Sequence, residues 1–392
     1  MGAGAGFPGN SCFVAGGALR HNCLMPMVLD SGADQLLEQG SDFVQTLIAA
    51  IIVFGIIIFV HEFGHFIMAK LTGVRVEEFS LGMGPLLLGH KRGETKYSLR
   101  AIPIGGYCKM TGENYEAEEE VPEHKRFDKK PVWARMSIIV AGSFMNILLA
   151  VVIFALLYSA IGIPKDFGNT IGQVEANSVA EAGGLQAGDR ITKINDQSVK
   201  NWTDITKVIH NYPNQELTLE IQRGQEKFTV ALTPRYNEEL KIGIIGITPS
   251  EQDIIFQKTG VLNGIRRGFE QTFAITRLML EQLGMMVTGK VAADGVAGPV
   301  GIIQLIGQSA AYGFFYVANF TAIISINLGI INMLPIPALD GSRFLFLLYE
   351  GIFRRRINPE KENFVHLIGF ALLIMLMVFI TYQDVARIAR SF

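Results

Sequence analysis

The five residues His61-Glu62-Phe63-Gly64-His65 bring two imidazoles and a carboxylate close together in the sequence. On a helix the two histidines, four positions apart, lie on one face, and both rings can reach one zinc ion at about 2.0 to 2.1 Å. Glu62, beside the first histidine, can accept a proton from a water molecule that attacks a carbonyl group. The spacing is therefore typical of a zinc-dependent hydrolase.

The setting of this motif supports that interpretation. The residues from Leu47 to Val60, directly before it, contain no charged side chain. An ionisable side chain near the centre of an apolar membrane helix costs roughly 2.5 to 3.5 kcal/mol. Three such side chains in five residues call for a compensating partner, which a metal ion provides. The alternative is that the three groups lie in solvent at the membrane surface and have no function.

A catalytic zinc ion needs a third protein ligand and a free position for water. The candidate is Asp340, an acid in the body of another apolar segment. Pro335 and Pro337 interrupt that segment just before it, and the backbone groups that they free must face protein or a water-filled cavity. A hydrolase inside a membrane needs such a cavity to admit water. The alternative role for Asp340 is to cap a helix at the membrane surface.

The composition indicates a membrane protein. Of the 392 residues, 49% are hydrophobic and 18% are charged, whereas soluble proteins carry about 25% charged residues. The mean hydropathy is +0.31, and the net charge of -2 gives no general attraction to nucleic acid. Three cysteines are too few for a disulfide framework or a cysteine-based zinc site. These values argue against a cytosolic enzyme and against a disordered chain.

Four segments are long and apolar enough to cross a bilayer core about 30 Å thick. We predict transmembrane helices over residues 43–70, 132–163, 314–348 and 364–388. The first lacks the basic start and the cleavage site of a signal peptide. The Gly-rich residues 1–42 carry no periodic pattern and are predicted to form a flexible tail.

The basic residues predict how the chain crosses the membrane. Eleven Lys and Arg residues lie from Lys70 to Lys130 and four from Arg354 to Lys361, so both connections should face the cytoplasm. The N-terminus, the long insert and the C-terminus then lie outside. The histidine motif and Asp340 both fall in the cytoplasmic halves of their spans, so they can meet.

Between the second and third spans, residues 164–250 change to a soluble, mainly β pattern. We predict strands over residues 217–222 and 228–232, and helices over residues 178–183 and 203–212. The stretch from Ala182 to Ile191, followed by Ile194-Asn-Asp-Gln197, resembles the PDZ domains of bacterial envelope proteases. That resemblance implies binding of an extended peptide by strand addition. A domain that only restricts access to the membrane site is the alternative.

Residues 251–313 are predicted to form a surface helix and a linker. From Leu262 to Met286 apolar residues recur at helical spacing, with Arg266, Arg267 and Glu270 between them. This pattern favours a helix on the outer membrane surface over a fifth membrane span.

Three features together resemble the bacterial site-2 protease family of intramembrane zinc metalloproteases. They are His61-Glu62-x-x-His65, Leu339-Asp340-Gly341 and the inserted PDZ domain. The resemblance implies a polytopic α-helical membrane protein with about four transmembrane helices, a membrane-associated β-loop and one inserted extracytoplasmic, mainly β PDZ domain. The residue roles that it implies are the zinc ligands His61, His65 and Asp340, the catalytic base Glu62, and the substrate-binding residues Asn327, Asn332 and Pro337.

The same resemblance implies a function. The family hydrolyses peptide bonds within the membrane in single-span proteins, such as anti-sigma factors or signal-peptide remnants, during regulated intramembrane proteolysis. We therefore expect Zn²⁺ as cofactor, single-span membrane proteins and the lipid bilayer as partners, and no nucleic acid. The expected location is the bacterial cytoplasmic membrane, with the PDZ domain outside and the active site toward the cytoplasmic half.

Two further segments resemble motifs of the family. In the connection 71–131, short strands alternate with glycines from Phe79 to Pro85 and from Tyr97 to Tyr107, as in the membrane-associated β-loop of the family. An edge strand there can hold an unwound substrate in extended form, and a hairpin that only braces the first two spans is the alternative. Gly142-Ser-Phe-Met-Asn146 indicates either a residue that lines the site or close helix packing.

Other functions stay open at this point. A catalytically inactive, PDZ-bearing membrane protein that binds peptides would use the metal only structurally, but a structural zinc site normally has four protein ligands. A zinc transporter would need a path of intramembrane acids or histidines, and in the other predicted spans only His366 suggests one. Histidine and carboxylate ligands also suit other divalent metals.

Overall fold

The computed structural model describes residues 32–113, 121–238, 240–289 and 298–389. The predicted tail, residues 1–42, lies mostly outside these ranges. The chain divides into two compact units. The membrane unit contains residues up to 149, 274–311 and from 323 onward, and the insert unit contains residues 150–273 and 312–322.

Helices dominate the membrane unit, because backbone groups in a bilayer must pair within their own helix. Four segments of the described helices are long and apolar enough to cross a membrane: Phe43–Leu71, Val132–Ala160, Phe314–Asn332 and Glu360–Arg387. The α-helices of the described residues are α1 (Gly32–Leu71), α2 (Val132–Ala160), α3 (Val179–Ala182), α4 (Trp202–Asn211), α5 (Val261–Val287), α6 (Pro299–Tyr312), α7 (Phe314–Asn332), α8 (Asp340–Phe353) and α9 (Pro359–Ala389).

The predicted fold class is confirmed: a polytopic α-helical protein with a β-loop between the first two spans and one inserted, mainly β domain. Helix α5, with its interleaved charges, is not among the candidate spans. The predicted third segment, 314–348, is divided, since α7 ends at Asn332 and α8 begins at Asp340. Two prolines stand in the gap and cannot continue a helix, which agrees with the interruption expected from the sequence.

Helix α1 ends in a glycine cap. Gly73 has a φ of +72°, a conformation that glycine adopts without strain. The N–H of Val74 donates to the carbonyl of Ala69 at 2.8 Å, and the N–H of Gly73 donates to the carbonyl of Lys70 at 3.1 Å. These bonds satisfy carbonyls at the helix end. The chain therefore turns sharply after the histidine-bearing helix and enters a strand.

The connection that follows is a β-loop of two long strands, β1 (Val76–Arg92) and β2 (Thr95–Met110). Gly82 and Gly84, both at positive φ, lie where β1 bends. Because of the bend, residues 78–81 pair on one side with 96–99 and on the other with 106–109. Within the part of the chain that the structure describes, residues 106–108 form strand pairs with β1 alone, so they form an edge of this sheet.

Glu78 ties the segments of the β-loop together. Its carboxylate accepts hydrogen bonds from Ser98 Oγ at 2.5 Å and from Arg100 Nη2 at 2.8 Å. Burial opposes ionisation of this group, but the hydrogen bonds outweigh it and hold the pKa of Glu78 below its ordinary value. Glu78 is therefore an anion that fixes the sheet at neutral pH.

The insert unit is mainly β, and its largest sheet has the order β6-β5-β7-β8. Its strands are β3 (Ile163–Phe167), β4 (Ile171–Val174), β5 (Arg190–Ile194), β6 (Gln197–Ser198), β7 (Leu217–Arg223), β8 (Glu226–Leu232), β9 (Arg235–Asn237), β10 (Ile242–Ile244), β11 (Ile247–Pro249) and β12 (Ile254–Gln257). In β7, buried Leu217, Leu219 and Ile221 alternate with less buried residues. This is the period of a strand with one face on a core, which Ile205 and Ile209 of α4 help to form.

The predicted elements of this unit correspond to observed ones. The strands predicted at 217–222 and 228–232 are β7 and β8, and the helices predicted at 178–183 and 203–212 are α3 and α4. Both helices begin at a capping side chain, since Ser178 accepts from the N–H of Glu181 and Asn201 from the N–H of Asp204.

Within the insert unit, α5 packs against the last turns of α2 through small residues. A Cβ atom on Gly264 would lie 2.1 Å from Ser159 Oγ, and one on Gly268 would lie 2.7 Å from the Ala155 nitrogen. Large apolar side chains, such as Leu262, remain exposed on α5. The helix therefore has both a packed face and an exposed apolar surface, as the amphipathic pattern predicts.

A buried ion pair joins β7 to the residue before β5. Asp189 is fully buried, and both its oxygens accept hydrogen bonds from Arg223, at 2.7 and 2.8 Å. The N–H of Gln186 donates to the same carboxylate at 2.8 Å. Burial alone would raise the pKa of Asp189, but these partners hold it below its ordinary value. The stability that they contribute is complete above the unfolded pKa of about 3.9 and is lost as the pH falls below it.

We expect Arg223→Met to destabilise the insert unit, because it leaves the Asp189 carboxylate buried without its cation. The cost should be roughly 2 kcal/mol, less than the roughly 3 to 5 kcal/mol of a fully buried pair, because the Arg223 side chain is 37% exposed. Limited proteolysis of the full chain in detergent should then cut faster within the insert unit. The control is Lys193→Met, which breaks an exposed pair with Glu220 and should change little. Equal cutting rates for both variants would contradict the prediction.

Candidate active site

His61 and His65 lie one turn apart on α1 and are both 7% exposed. Their Nε2 atoms are 3.2 Å apart, and the two rings meet nearly at right angles. Gly64, between them, allows α1 to approach α2, because a Cβ atom there would lie 2.4 Å from the carbonyl oxygen of Ala141. The histidine pair therefore faces α2 directly.

Gly142 of α2 leaves the space that the histidine rings occupy. A Cβ atom on Gly142 would lie 2.4 Å from His65 Nε2 and 2.7 Å from His61 Cε1. Any other residue would displace the nitrogens that face the candidate metal position. The structure shows both features that the sequence suggested for the segment 142–146: Gly142 packs closely against the histidines, and Asn146 lies beside His61.

Asp340, the first residue of α8, approaches the histidines from the other side. Its Oδ2 atom lies 3.2 Å from His61 Nε2 and 3.3 Å from His65 Nε2, and it has no hydrogen-bond partner among the described residues. Gly341 allows α8 to start this close to the preceding turn, because a Cβ atom there would lie 2.3 Å from the carbonyl oxygen of Leu334. The sequence Asp340-Gly341 thus combines a candidate metal ligand with the glycine that its position requires.

Hydrogen bonds behind the histidines orient the rings. His65 Nδ1 lies 2.8 Å from the carbonyl oxygen of Ile138. A carbonyl only accepts, so Nδ1 carries the proton and Nε2 presents a lone pair. The amide of Asn146 lies 3.4 Å from His61 Nδ1, and Asn146 Oδ1 has no other partner among the described residues. A half-turn of this amide lets Oδ1 accept the Nδ1 proton in the same way.

The three ligand atoms fit a zinc ion. Two lone-pair nitrogens and a carboxylate oxygen, separated by 3.2, 3.2 and 3.3 Å, all face one point. Ligands about 2.0 to 2.1 Å from a tetrahedral zinc ion lie about 3.3 to 3.4 Å from one another. No fourth His, Cys, Asp or Glu joins this group within the described residues. Three protein ligands leave a position for water, which is the arrangement of a catalytic zinc site and not of a structural one.

Glu62 lies beside the candidate metal ligands and lines a cavity of ≈ 400 Å³ with them. The edge of β2 forms another wall of this cavity, and Gly106 allows it to come close, since a Cβ atom there would lie 3.3 Å from Glu62 Cγ. Arg343 and Glu113, which form an ion pair, also line it. The cavity therefore holds a carboxylate, three metal-ligand candidates and a strand edge.

Cys108 also lines this cavity and is the sole sulfur nucleophile there among the described residues. Burial raises the pKa of its thiol well above the usual range. The thiol therefore stays protonated and is a poor nucleophile. This argues against the Cys108 thiol as a nucleophile at this site.

The structure places the predicted substrate-binding residues differently. The amide nitrogen of Asn332 lies 3.4 Å from His61 Nε2, next to the metal position. Asn327 is exposed on α7, and five residues along a helix correspond to about 140° of rotation, so it is on another face. Pro337 is half-buried against Gly369 of α9. Only Asn332 of these three lies beside the histidines.

Sequence reasoning missed some groups near the site and one acid in the last span. The carbonyl of Ile138 belongs to the backbone and has no signature in the sequence. Ser325 donates to the carbonyl of Asn146 at 2.8 Å and is fully buried, but serine is common in helices. Asp384 of α9 accepts from the N–H of Gly301 at 2.8 Å, so it caps α6 and does not bind the metal.

Comparisons with known proteins agree with this geometry. Residues 49–376 match the model of peptidase family M50. The chain is similar to the regulator of sigma-W protease RasP of Bacillus subtilis, with 33% identity covering 88% of this chain and 99% of that protein. It is similar to zinc metalloprotease RasP of Bacillus licheniformis at the same identity and coverage. A relative from Clostridium acetobutylicum is 41% identical, over 86% of this chain and 97% of its own.

Among solved structures, the chain is similar to the crystal structure of the PDZ domain of an SdrC-like protein from Listeria innocua. The identity is 25%, the TM-score is 0.20, and the match covers 21% of this chain and 92% of that one.

We expect Gly142→Ala to weaken zinc binding, because the added methyl group occupies the space of both histidine rings. Metal affinity should fall by about tenfold or more, as when groups around metal ligands are disturbed. Competition with a chelator on the purified full chain measures it. The control is Gly55→Ala on α1, where the added Cβ atom meets nothing within 4 Å. A Gly142→Ala variant with the zinc affinity of the Gly55→Ala variant would refute this account of the glycine.

Proposed function

The chain belongs to peptidase family M50, and from this premise we propose that it is an intramembrane zinc metalloprotease that hydrolyses peptide bonds in the transmembrane segments of single-span membrane proteins. The observation that carries the proposal is the convergence of lone pairs from His61, His65 and Asp340 on one point of an apolar helical unit. The four apolar helices and the family make the chain a multi-pass membrane protein. Zinc suits this ligand set and is named for relatives of the chain.

His61, His65 and Asp340 would hold the zinc ion, which when bound polarises the scissile carbonyl and makes the attacking water more acidic. Glu62 then accepts a proton from that water and returns it to the nitrogen of the leaving chain. Its position supports this role, since it follows His61 directly and lines the cavity that contains the ligands. A membrane-buried carboxylate with no such use would be costly.

The edge of β2 is suited to hold the substrate. A peptide bond in a helix is shielded, because its carbonyl is paired within the helix, so the substrate must unwind before it is cut. Residues 106–108 offer a strand edge beside Glu62, and an extended segment can add to this edge. Asn332, beside His61, is suited to bind the substrate backbone near the scissile bond. Asn327 and Pro337 stay predictions from the family resemblance.

The proposed substrates are single-span proteins, such as membrane-bound anti-sigma factors or signal-peptide remnants. Support comes from the name of the Bacillus subtilis relative, a regulator of sigma-W protease. In the orientation that the basic connections predict, the insert unit lies outside and the active site toward the cytoplasmic half. We propose that the insert unit is a PDZ domain that controls which substrates reach the site.

The test is cleavage of a panel of single-span reporter proteins, with short outer segments, by the purified full chain in detergent. Glu62→Gln keeps the size of the side chain but removes the base, so cleavage should fall by at least about 100-fold while zinc stays bound. The matched control is Glu94→Gln, an exposed glutamate paired with Lys125 on the β-loop, which should cleave like the wild type.

The outcomes separate the candidate functions. Cleavage within the apolar segment by the wild type and by Glu94→Gln, but not by Glu62→Gln, supports the protease and its base. Unchanged cleavage by Glu62→Gln would remove Glu62 from the mechanism. No cleavage of any reporter by a zinc-loaded wild type would favour the peptide-binding membrane protein.

A further inference from the structure

The turn before Asp340 determines where this ligand lies. Asp340 is the first residue of α8, and the side chain of the preceding residue, Leu339, makes no capping hydrogen bond. Within the turn, the N–H of Ile336 donates to the carbonyl of Leu334 at 2.7 Å, and the N–H of Leu339 donates to that of Ile336 at 3.1 Å. Proline at 335 and 337 has no N–H to offer. The N–H of Ala338 is thus the remaining donor, and its acceptor lies on another helix.

Ala338 adopts a strained backbone conformation two residues before the ligand. Its φ is +76°, in the left-handed region, where the Cβ of a residue other than glycine is crowded. Three of the other five such residues in the described chain are asparagines, which tolerate this conformation better. A strained residue persists only when the structure around it imposes its conformation.

His366 of α9 supplies one such constraint. Its Nδ1 atom accepts a hydrogen bond from the N–H of Ala338 at 3.0 Å. The ring is itself held by the edge-to-face contact with Phe346, with ring centroids 5.8 Å apart and planes at 85°. The hydrogen bond to His366 fixes the direction of the Ala338 N–H, and hence the course of the chain into α8.

Gly369, three residues further along α9, supplies a second constraint. A Cβ atom on Gly369 would lie 2.2 Å from the Cβ atom of Pro337 and 2.6 Å from its carbonyl oxygen. The backbone of α9 therefore presses directly on the turn. The hydrogen bond with Ala338 and the backbone contact with Pro337 therefore act on consecutive residues of the turn, and both come from α9.

We propose that His366 and Gly369 of the last span are positioning residues for the third metal ligand: they hold Pro337 and Ala338 in the conformation that aims the Asp340 carboxylate at the two histidines. The inference rests on the proposed function in one respect, that Asp340 binds the metal. Helix α9 contributes none of the three candidate metal ligands, but in this proposal it determines where Asp340 lies.

The test compares zinc affinity, measured by chelator competition, and the visible spectrum of the cobalt-substituted protein, on purified full-length variants. His366→Leu removes the acceptor and should weaken zinc binding by about tenfold or more and alter the cobalt spectrum. His366→Asn keeps an acceptor, Oδ1, near the place of Nδ1 and should restore both. Gly369→Ala, which keeps His366 but pushes on Pro337, should weaken binding too. The control is Leu367→Ala, whose side chain is 67% exposed.

A second comparison, in a chain that also carries Ala338→Gly, gives a result that a general loss of stability would not produce. In Ala338→Gly the positive φ is free of strain, so the turn depends less on His366. His366→Leu should therefore weaken zinc binding less in the Ala338→Gly chain than in the wild-type chain.

Each outcome decides the inference. Wild-type zinc affinity in His366→Leu, failure of His366→Asn to restore it, or the same loss in both backgrounds would overturn the positioning role. Zinc binding is measured without substrate, so failure to cleave reporters would refute the proteolysis and leave this inference standing. A wild-type chain that binds no zinc would refute the proposed metal centre and this inference together.

Discussion

Three electron-pair donors held 3.2 to 3.3 Å apart inside an apolar unit are the constraint on which the rest of the structure depends. Without a metal ion or a proton between them, the lone pairs of His61, His65 and Asp340 repel one another, which disfavours burying the three groups together. With a divalent metal the same atoms become ligands. The Ile138 carbonyl and the amide of Asn146 lie behind the rings and keep both Nε2 atoms facing the carboxylate.

Glycine at the points of closest contact makes this arrangement possible. Gly64 and Gly142 allow α1 and α2 to meet at the histidines, Gly341 allows α8 to start against its own turn, and Gly106 allows the strand edge to reach Glu62. At Gly64, Gly142 and Gly341 a Cβ atom would overlap backbone or a histidine ring, and at Gly106 it would lie 3.3 Å from Glu62 Cγ. The sequence of this candidate metal centre therefore includes glycines at positions where any side chain would be too large.

The ligands are held in two different ways. A helix places residues four apart on one face, so α1 positions His61 and His65 without help from distant residues. Asp340 follows an irregular turn with two prolines and a strained alanine, whose conformation is set by its neighbours. The first pair is a local property of the chain, and the third ligand depends on how the last span packs.

From the sequence alone, the four apolar helices, the strands of the insert unit and the shared face of His61 and His65 could be predicted, because periodicity and motif spacing act over a few residues. The roles of His61, Glu62, His65 and Asp340 stay predictions. Sequence could not tell which of Asn327, Asn332 and Asn146 lie beside the histidines, since helix packing decides which face of a helix meets the site. Sequence analysis assigned no role to His366 or to the acid Asp384. In the structure, His366 accepts a hydrogen bond from the turn before Asp340, and Asp384 caps α6. Both act on partners that are distant in sequence, and contacts of that kind exist only once the chain has folded.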